Sequence, residues 1–504
     1  MTRPVVDVVI VGFGPSGAVL ANLLGAAGIS VLVLEKDTVV HPLPRAIHFD
    51  GEVMRIFQNA GLKHEVLAIA RPGTQGMHFV NAGGHAMLVR GGTAELGPHG
   101  CANNYYFHQP ELETVLREGA ARYANVDIRM GQEVVDITDD ASEATLDVLD
   151  VATGRRYSIS ARYVVGADGA RSRVRRAMGT EMEDLGLHQP WLVFDVILDE
   201  DVSLPAYTVQ HCDPARPMTY CNVVGARRRW EIMMMPGDDP VAMVAPANLW
   251  KLVSRWVTPQ QAHLERAAIY TFHSVIAEGW RKGRLLIAGD SAHQTPPFLG
   301  QGMCAGVRDA ANLAWKLAAV IQGRADESLL DTYEEERSPH VRAFIDLAVR
   351  LGDIIQTTDA DKALARDKRF GFGAPEVFEF PAPRLGASAL TGSGELAGRV
   401  FPQPLMNDGR FMDEVLGYRA AVIGRQDILA CVSADTRARW HEAGAVVVGD
   451  PDEHLLQWLE NQEVRAVLLR PDHYILGVAN TAAELDLIST HFPQTPIQMA
   501  APPI

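Results

Sequence analysis

The stretch VVDVVIVGFGPSG, residues 5 to 17, decides how the chain begins to fold. Val5 to Val11 is an apolar run broken only by Asp7, the texture of a central parallel strand buried on both faces. It runs into Gly12-Phe13-Gly14-Pro15-Ser16-Gly17, and a helix is predicted from Pro15 to about Gly28, where the glycine is a natural stop. A second buried strand, VLVLE, occupies Val31 to Glu35, so the segment reads β-α-β. In that setting the glycines let the backbone approach a pyrophosphate, held at a helix N-terminus where unpaired N–H groups and the dipole favour an anion. Glu35, at the end of the second strand, is the expected partner of an adenosine ribose. A carboxylate there disfavours a 2′-phosphate, so the expected ligand of this turn is FAD or NAD rather than NADP.

Two further glycine elements lie far downstream. VGADGARS, Val165 to Ser172, again leads a strand into a tight turn and a helix. GDSAHQTPPFLGQGMCAG, Gly289 to Gly306, leaves the apolar run LLIA through an acid, two prolines and several glycines, then enters a helix predicted from Gly302 through Gln322. One nucleotide site does not need three such elements; an extended cofactor with several polar groups does. Between them, WLVFDVIL, AYTVQHC, MTYCNVV and RWEIMMM read as an antiparallel sheet, a floor for a substrate pocket. A second long helix is expected from Leu329 to about Ile355, a Pro/Gly-rich linker from about Thr357 to Gly398, and a small α/β unit after it, with strands near AAVIG, ILACV, AVVVG and AVLLRPDHYILGVA.

The 504 residues suffice for two to four domains. With 46 Lys and Arg against 62 Asp and Glu, the net charge of −16 disfavours a nucleic-acid binder. The basic runs at Arg171 to Arg176 and Arg227 to Arg229 are read as a solvated helix face and an exposed turn. Five scattered cysteines show no CxxC or metal-ligand spacing, which suits a reducing cytoplasm, and no metal site is expected. No run approaches the ~18 apolar residues of a membrane helix, so a soluble cytoplasmic protein is expected, with a homodimer left open.

The three motifs, in this order and spacing, resemble the single-component FAD-dependent aromatic hydroxylases. QHCDPARP, RRRWEIMMMPGD and FLGQGMCAGVRDAANLAWKL look most like the branch acting on 3-(3-hydroxyphenyl)propionate and related phenols. The resemblance implies a Rossmann-like FAD-binding α/β domain in two parts, 1–180 and 279–356. It also implies an inserted antiparallel-sheet substrate domain at 181–278, the linker at 357–398, and a thioredoxin-like unit without CxxC at 399–504. It implies FAD as cofactor and NADH or NADPH as co-substrate, with O2 delivered to a phenol through a flavin C4a-hydroperoxide, as in aromatic catabolism. A flavin-dependent epoxidase or tailoring oxygenase, or a non-catalytic flavin-binding module, is the competing reading.

By the same resemblance, the FAD site comprises Gly12, Gly14, Pro15, Ser16, Gly17, Glu35 and Lys36, with Arg45 and Gln109 at the pyrophosphate and ribityl region. Asp168 is expected to serve both FAD and the nicotinamide donor, and Asp290 the ribityl chain. Pro297 is expected to face flavin and substrate, while Gly300, Gly302 and Met303 present backbone N–H groups to the pyrimidine edge. Cys304 stands where many relatives carry Asn and is read as a small buried helix residue. A phenol reacts better when it loses its proton, so a base or hydrogen-bond acceptor is expected near it. His48, His211 and Tyr220 are the candidates, with Pro297 at the reacting edge; His293 is expected to be structural.

Overall fold

The computed structural model describes residues 5–91, 96–140, 142–379, 382–391, 394–449 and 451–492. The chain opens with β1 (Val6–Val11), α1 (Pro15–Ala26), β2 (Val31–Glu35), α2 (Gly51–Asn59), β3 (Met77–Asn81), α3 (Gln109–Ala121), β4 (Val126–Met130) and β5 (Arg156–Gly166). A meander of long strands follows: β6 (Met182–Leu198), β7 (Thr208–Cys212), β8 (Met218–Asn222), β9 (Arg227–Met233) and β10 (Ala262–Ala277). Then come β11 (Leu285–Ile287) and the helices α4 (Gly302–Ile321) and α5 (Thr332–Ile355).

The first sheet has a parallel core, β11-β5-β1-β2-β4, with Arg281–Lys282 and Ala144–Asp150 joined to it antiparallel. Val8 to Val11 and Val31 to Leu34 are buried on both faces, as continuous apolar strands in a covered parallel sheet must be. α1 is apolar on nearly every side, and its one polar interior residue, Asn22, donates to the carbonyls of Ala18 and Leu116, tying α1 to α3. Buried amides are tolerated when paired in this way.

The second sheet runs β10-β6-β9-β8-β7-β3, then Ala86–Arg90 and Glu376–Phe378. The meander is antiparallel, as expected, but β3 joins β7 in parallel and Glu376–Phe378 joins Ala86–Arg90 in parallel. The sheet therefore recruits strands from outside the meander. Three other expectations are corrected. The supposed linker contains a helix, Ala360–Phe370, capped by Asp359, besides the edge strand at Glu376. ILACV is no strand: Gln426–Leu429 is helical. Arg227 to Arg229 likewise lie in β9, with Arg229 buried, rather than in an exposed turn.

The C-terminal unit is β-α-α-β-α-β-β-α in order from Ala421 to Ser489, with its four strands in one sheet and Val446–Val448 parallel to Ala421–Gly424. Buried charges join it to the first domain. Arg55 on α2 pairs with Asp413, Tyr474 donates to Glu52 at 2.6 Å, and Trp315 on α4 donates to Asp472. Glu336 on α5 is fully buried between Lys316 at 2.7 Å and Arg470 at 2.8 Å. The unit is thus packed onto α4 along a polar seam.

Candidate active site

A cavity of about 380 Å³ opens between the first helix turns of α1 and α4 and one face of the second sheet. α1 begins at Gly14 and α4 at Gln301, and neither helix end carries a side-chain cap. Gln301 donates instead to Asp50 at 3.0 Å, away from the helix end. Two sets of unpaired backbone N–H groups, each at a positive dipole end, therefore meet one cavity.

The glycines explain how. Gly12 has φ +99°, and a Cβ there would stand 2.4 Å from the carbonyl oxygen of Ala167, so the first turn and the GADG turn touch through bare backbone. At Gly14 a Cβ would meet nothing within 4 Å, because that side of the turn faces the cavity. Such a cradle fits a pyrophosphate at α1, and the uncapped α4 suits the electron-rich edge of a ring system.

Around this cradle the acids hold turns in place. Glu35 accepts from the backbone N–H of Phe13 at 2.7 Å and of Asp37 at 2.9 Å, behind the turn. Asp168 accepts from Arg173 N at 2.5 Å and from the Ser291 hydroxyl at 3.0 Å, so its carboxylate ties two glycine elements together rather than lining the cavity. Asp309 accepts from Gly289 N, pairs with His293 at 2.6 Å and with Arg337 at 2.9 Å, which makes His293 a buried anchor of the GDSAH turn. Gln109 accepts from the N–H groups of Arg45 and Ala46 at 2.7 and 2.6 Å and so fixes the Arg45 loop. Arg45 and Asp290 face each other at 3.6 Å across the mouth. Pro297, Gly300, Gly302 and Met303 line the cavity; Lys36 is exposed outside it.

Residues 5–348 match the family described as FAD binding domain. The chain belongs to this FAD-binding family. Residues 441–493 match a second family, the HcaD C-terminal domain. The chain is 38% identical to a "Probable NADH-specific resorcinol 4-hydroxylase" of Rhodococcus jostii (strain RHA1), covering 96% of this chain and 94% of that one. It is 35% identical to a "3-(3-hydroxy-phenyl)propionate/3-hydroxycinnamic acid hydroxylase" of Burkholderia cenocepacia (strain HI2424), covering 94% of each. Among solved structures, aklavinone-11 hydroxylase in complex with FAD and aklavinone has a TM-score of 0.82 at 24% identity, covering 98% of this chain and all of that one. The fold is therefore shared with that hydroxylase over nearly the whole chain.

The far wall of this family member's cavity separates the catalytic candidates. His48 lines the cavity, buried, with Nε2 2.9 Å from Asn104 Oδ1. Asn104 Oδ1 also accepts from Arg90, which itself donates to the carbonyl of Leu299 in the PPFLG segment. Burial, then the nearby Arg90 charge, lowers the His48 pKa to about 4, so the ring is neutral at pH 7. Nε2 also lies 3.4 Å from Arg90 Nη2, and Nδ1 is buried beside Gly300. A ring this reluctant to be protonated cannot keep a phenol's proton.

His211 and Tyr220 are corrections. Their strand neighbours Thr208, Gln210, Thr219 and Cys221 line the cavity, and side chains alternate between the faces of a strand, so these two point the other way. His211 packs against Trp256, and Tyr220 donates to the Pro205 carbonyl at 3.1 Å within the opposite core. We expect His211→Ala and Tyr220→Phe to leave substrate-stimulated flavin reduction within about twofold of the parent, with Tyr220→Phe costing only about 1 kcal/mol of stability. A tenfold fall in the reduction rate of either variant, measured by stopped flow, contradicts this facing.

Sequence reading missed Arg90, Asn104, Tyr106, Arg229, Glu231 and Arg266. Arg229 and Arg266 share Asp195, at 2.7 and 2.5 Å, and both donate to the Pro44 carbonyl, so the substrate sheet holds the loop that carries Arg45. Cys304 is buried against the carbonyls of Gly300 and His48, and burial pushes its thiol pKa well up, so it is inert.

Proposed function

We propose that the protein is an FAD-dependent monooxygenase that uses NADH and O2 to hydroxylate a phenolic ring. The observation that carries this reading is the pair of uncapped helix ends opening on one cavity whose far wall is a mixed apolar and polar sheet face. The chemistry FAD supplies when bound is hydride acceptance from the nicotinamide donor and activation of O2. The names of the relatives support the aromatic substrate, and the Rhodococcus relative's name supports NADH over NADPH.

The chain's own residues then take distinct tasks. The backbone of Gly14, Pro15 and Ser16 receives the pyrophosphate, with Gly12 and Gly17 keeping the turn tight and Arg45 and Asp290 closing over the ribityl region. The remaining lone pairs of Glu35 face the adenosine ribose. Backbone N–H groups of Gly302 and Met303, in the uncapped first turn of α4, stabilise negative charge on the flavin's pyrimidine edge. Pro297 borders the substrate, and His48 lines the cavity beside it as a neutral ring. Asp168 acts by holding the turns. The C-terminal unit, read as thioredoxin-like, has a packing role; Cys431 on it is unpaired and exposed.

The test is anaerobic stopped-flow reduction of the yellow protein by NADH with and without phenols, followed by product analysis in air. The reading requires at least one phenol to accelerate reduction and to be hydroxylated. Peroxide without product for every phenol overturns it in favour of a non-catalytic flavin module. His48→Phe, which keeps the ring volume but loses the hydrogen bond to Asn104, is expected to lower hydroxylation by about tenfold or more and to raise the share of NADH diverted to peroxide. Full coupling in that variant removes His48 from the mechanism.

A further inference from the structure

Glu231 is a buried carboxylate on the substrate wall that nothing described so far employs. It sits on β9 opposite Thr219 on β8 and Val193 on β6, and all three line the cavity. Trp230 and Ile232, on either side of it, enter the opposite core. Among the described residues its carboxylate accepts no hydrogen bond, and its nearest cation, Arg229 Nη1, is 3.7 Å away, beyond hydrogen-bond reach. A residue only 9% exposed with an unmet acceptor carries a desolvation penalty unless a ligand meets it.

We propose, resting on the aromatic-hydroxylase reading, that Glu231 accepts a hydrogen bond from a ring hydroxyl and makes the cavity select uncharged phenols over aryl carboxylates.

The neighbouring groups point the same way. Thr219 donates to Gln210 at 2.5 Å, and Thr208 is engaged with the Tyr106 hydroxyl at 2.7 Å, so these polar neighbours already have partners. A hydroxyl donating to Glu231 forms a charge-assisted bond, stronger than a neutral one. The charges on this wall are also balanced. Arg229 and Arg266 face Asp195 and Glu231, and both guanidiniums are spent on Asp195 and on the carbonyls of the Arg45 loop. Arg45, the other arginine of the lining, faces Asp290 at the mouth. An aryl carboxylate would therefore add an anion beside Glu231 with no uncommitted arginine among the described lining residues to meet it, and like charges in one buried site disfavour each other. Burial raises the Glu231 pKa, and the Arg229 charge opposes that rise.

The experiment titrates the FAD-loaded enzyme with resorcinol, 3-hydroxybenzoate and 3-(3-hydroxyphenyl)propionate, reading the flavin difference spectrum and the acceleration of flavin reduction. We expect the parent to bind resorcinol at least about tenfold tighter than either acid, the scale of one charged hydrogen bond. Glu231→Gln, nearly isosteric, should weaken resorcinol by about tenfold and narrow that preference, whereas Glu231→Asp should restore part of it. Acids that bind the parent as tightly as resorcinol, or a preference unchanged in Glu231→Gln, overturn the inference while leaving the hydroxylase reading intact. If none of the three compounds perturbs the flavin or its reduction, the hydroxylase reading falls and the inference with it. The parent's own ratio decides the matter even if a variant fails to hold flavin.

Discussion

Gly14→Asp is expected to give a folded but colourless protein. Gly14 has φ −73° and ψ −175°, a conformation open to any residue, and a Cβ there meets nothing within 4 Å. Aspartate is among the preferred residues at a helix N-cap, where it contributes about 1 kcal/mol, so the fold should tolerate the change or gain from it. Its carboxylate, however, would occupy the space we assign to a pyrophosphate. Two like charges about 4 Å apart repel by about 4 kcal/mol near a protein surface, close to a thousandfold in affinity. The checks are flavin absorbance after purification and the thermal midpoint of the flavin-free protein beside flavin-stripped parent. Normal flavin content in a folded variant would place the cofactor elsewhere.

The second large effect concerns the polar seam under the C-terminal unit. Glu336 is fully buried between Lys316 and Arg470 and also accepts from Asn312 at 2.9 Å and Ser388 at 2.8 Å. Removing one partner of a buried ion pair strands the others, at about 3–5 kcal/mol. Glu336→Gln should lose that much in urea unfolding, and adding Lys316→Met should return part of it, because the double change removes the stranded ammonium. Although burial opposes its charge, Arg470 and then Lys316 hold the Glu336 carboxyl at about 2 against an ordinary 4.5. A depressed carboxyl pKa contributes stability above its unfolded value and loses it as pH falls toward the folded one. The parent should therefore lose stability between about pH 4.5 and 2 more steeply than Glu336→Gln. Parallel acid profiles for parent and variant would contradict this account.

Local signals carried the first domain. A continuous apolar strand, a glycine turn and a helix start are nearest-neighbour facts, and β1, α1 and β2 follow from them. The GADG and GDSAH elements were legible for the same reason. What escaped needed parity or partners. His211 and Tyr220 sit on the strands expected to floor the pocket, yet one residue of parity turns both away from it. Glu231 was hidden inside RRRWEIMMM, where an acid among arginines reads as surface until the register places it opposite Thr219. Arg229 seemed exposed because its partner Asp195 is on another strand. ILACV has strand composition but lies in a short helix, where the tertiary packing of Ile428 and Leu429 outweighs propensity. The segment after Thr357 looked like linker because Ala363 alone anchors its helix.

The close approach of Gly12 to Ala167, and of Ser16 to Gly289 and Gly306, also sets an order of events during synthesis. β1 pairs on one edge with β2 at once, but its other edge waits for β5, and β5 in turn waits for β11. At about 5–20 residues per second, the interval between translating Gly17 and Gly306 is roughly 15–60 s. Through that time the glycine turn exists without its opposite wall. Flavin can be captured only once some three-fifths of the chain has left the ribosome, so a cell short of flavin would accumulate completed apoprotein instead of stalled early fragments.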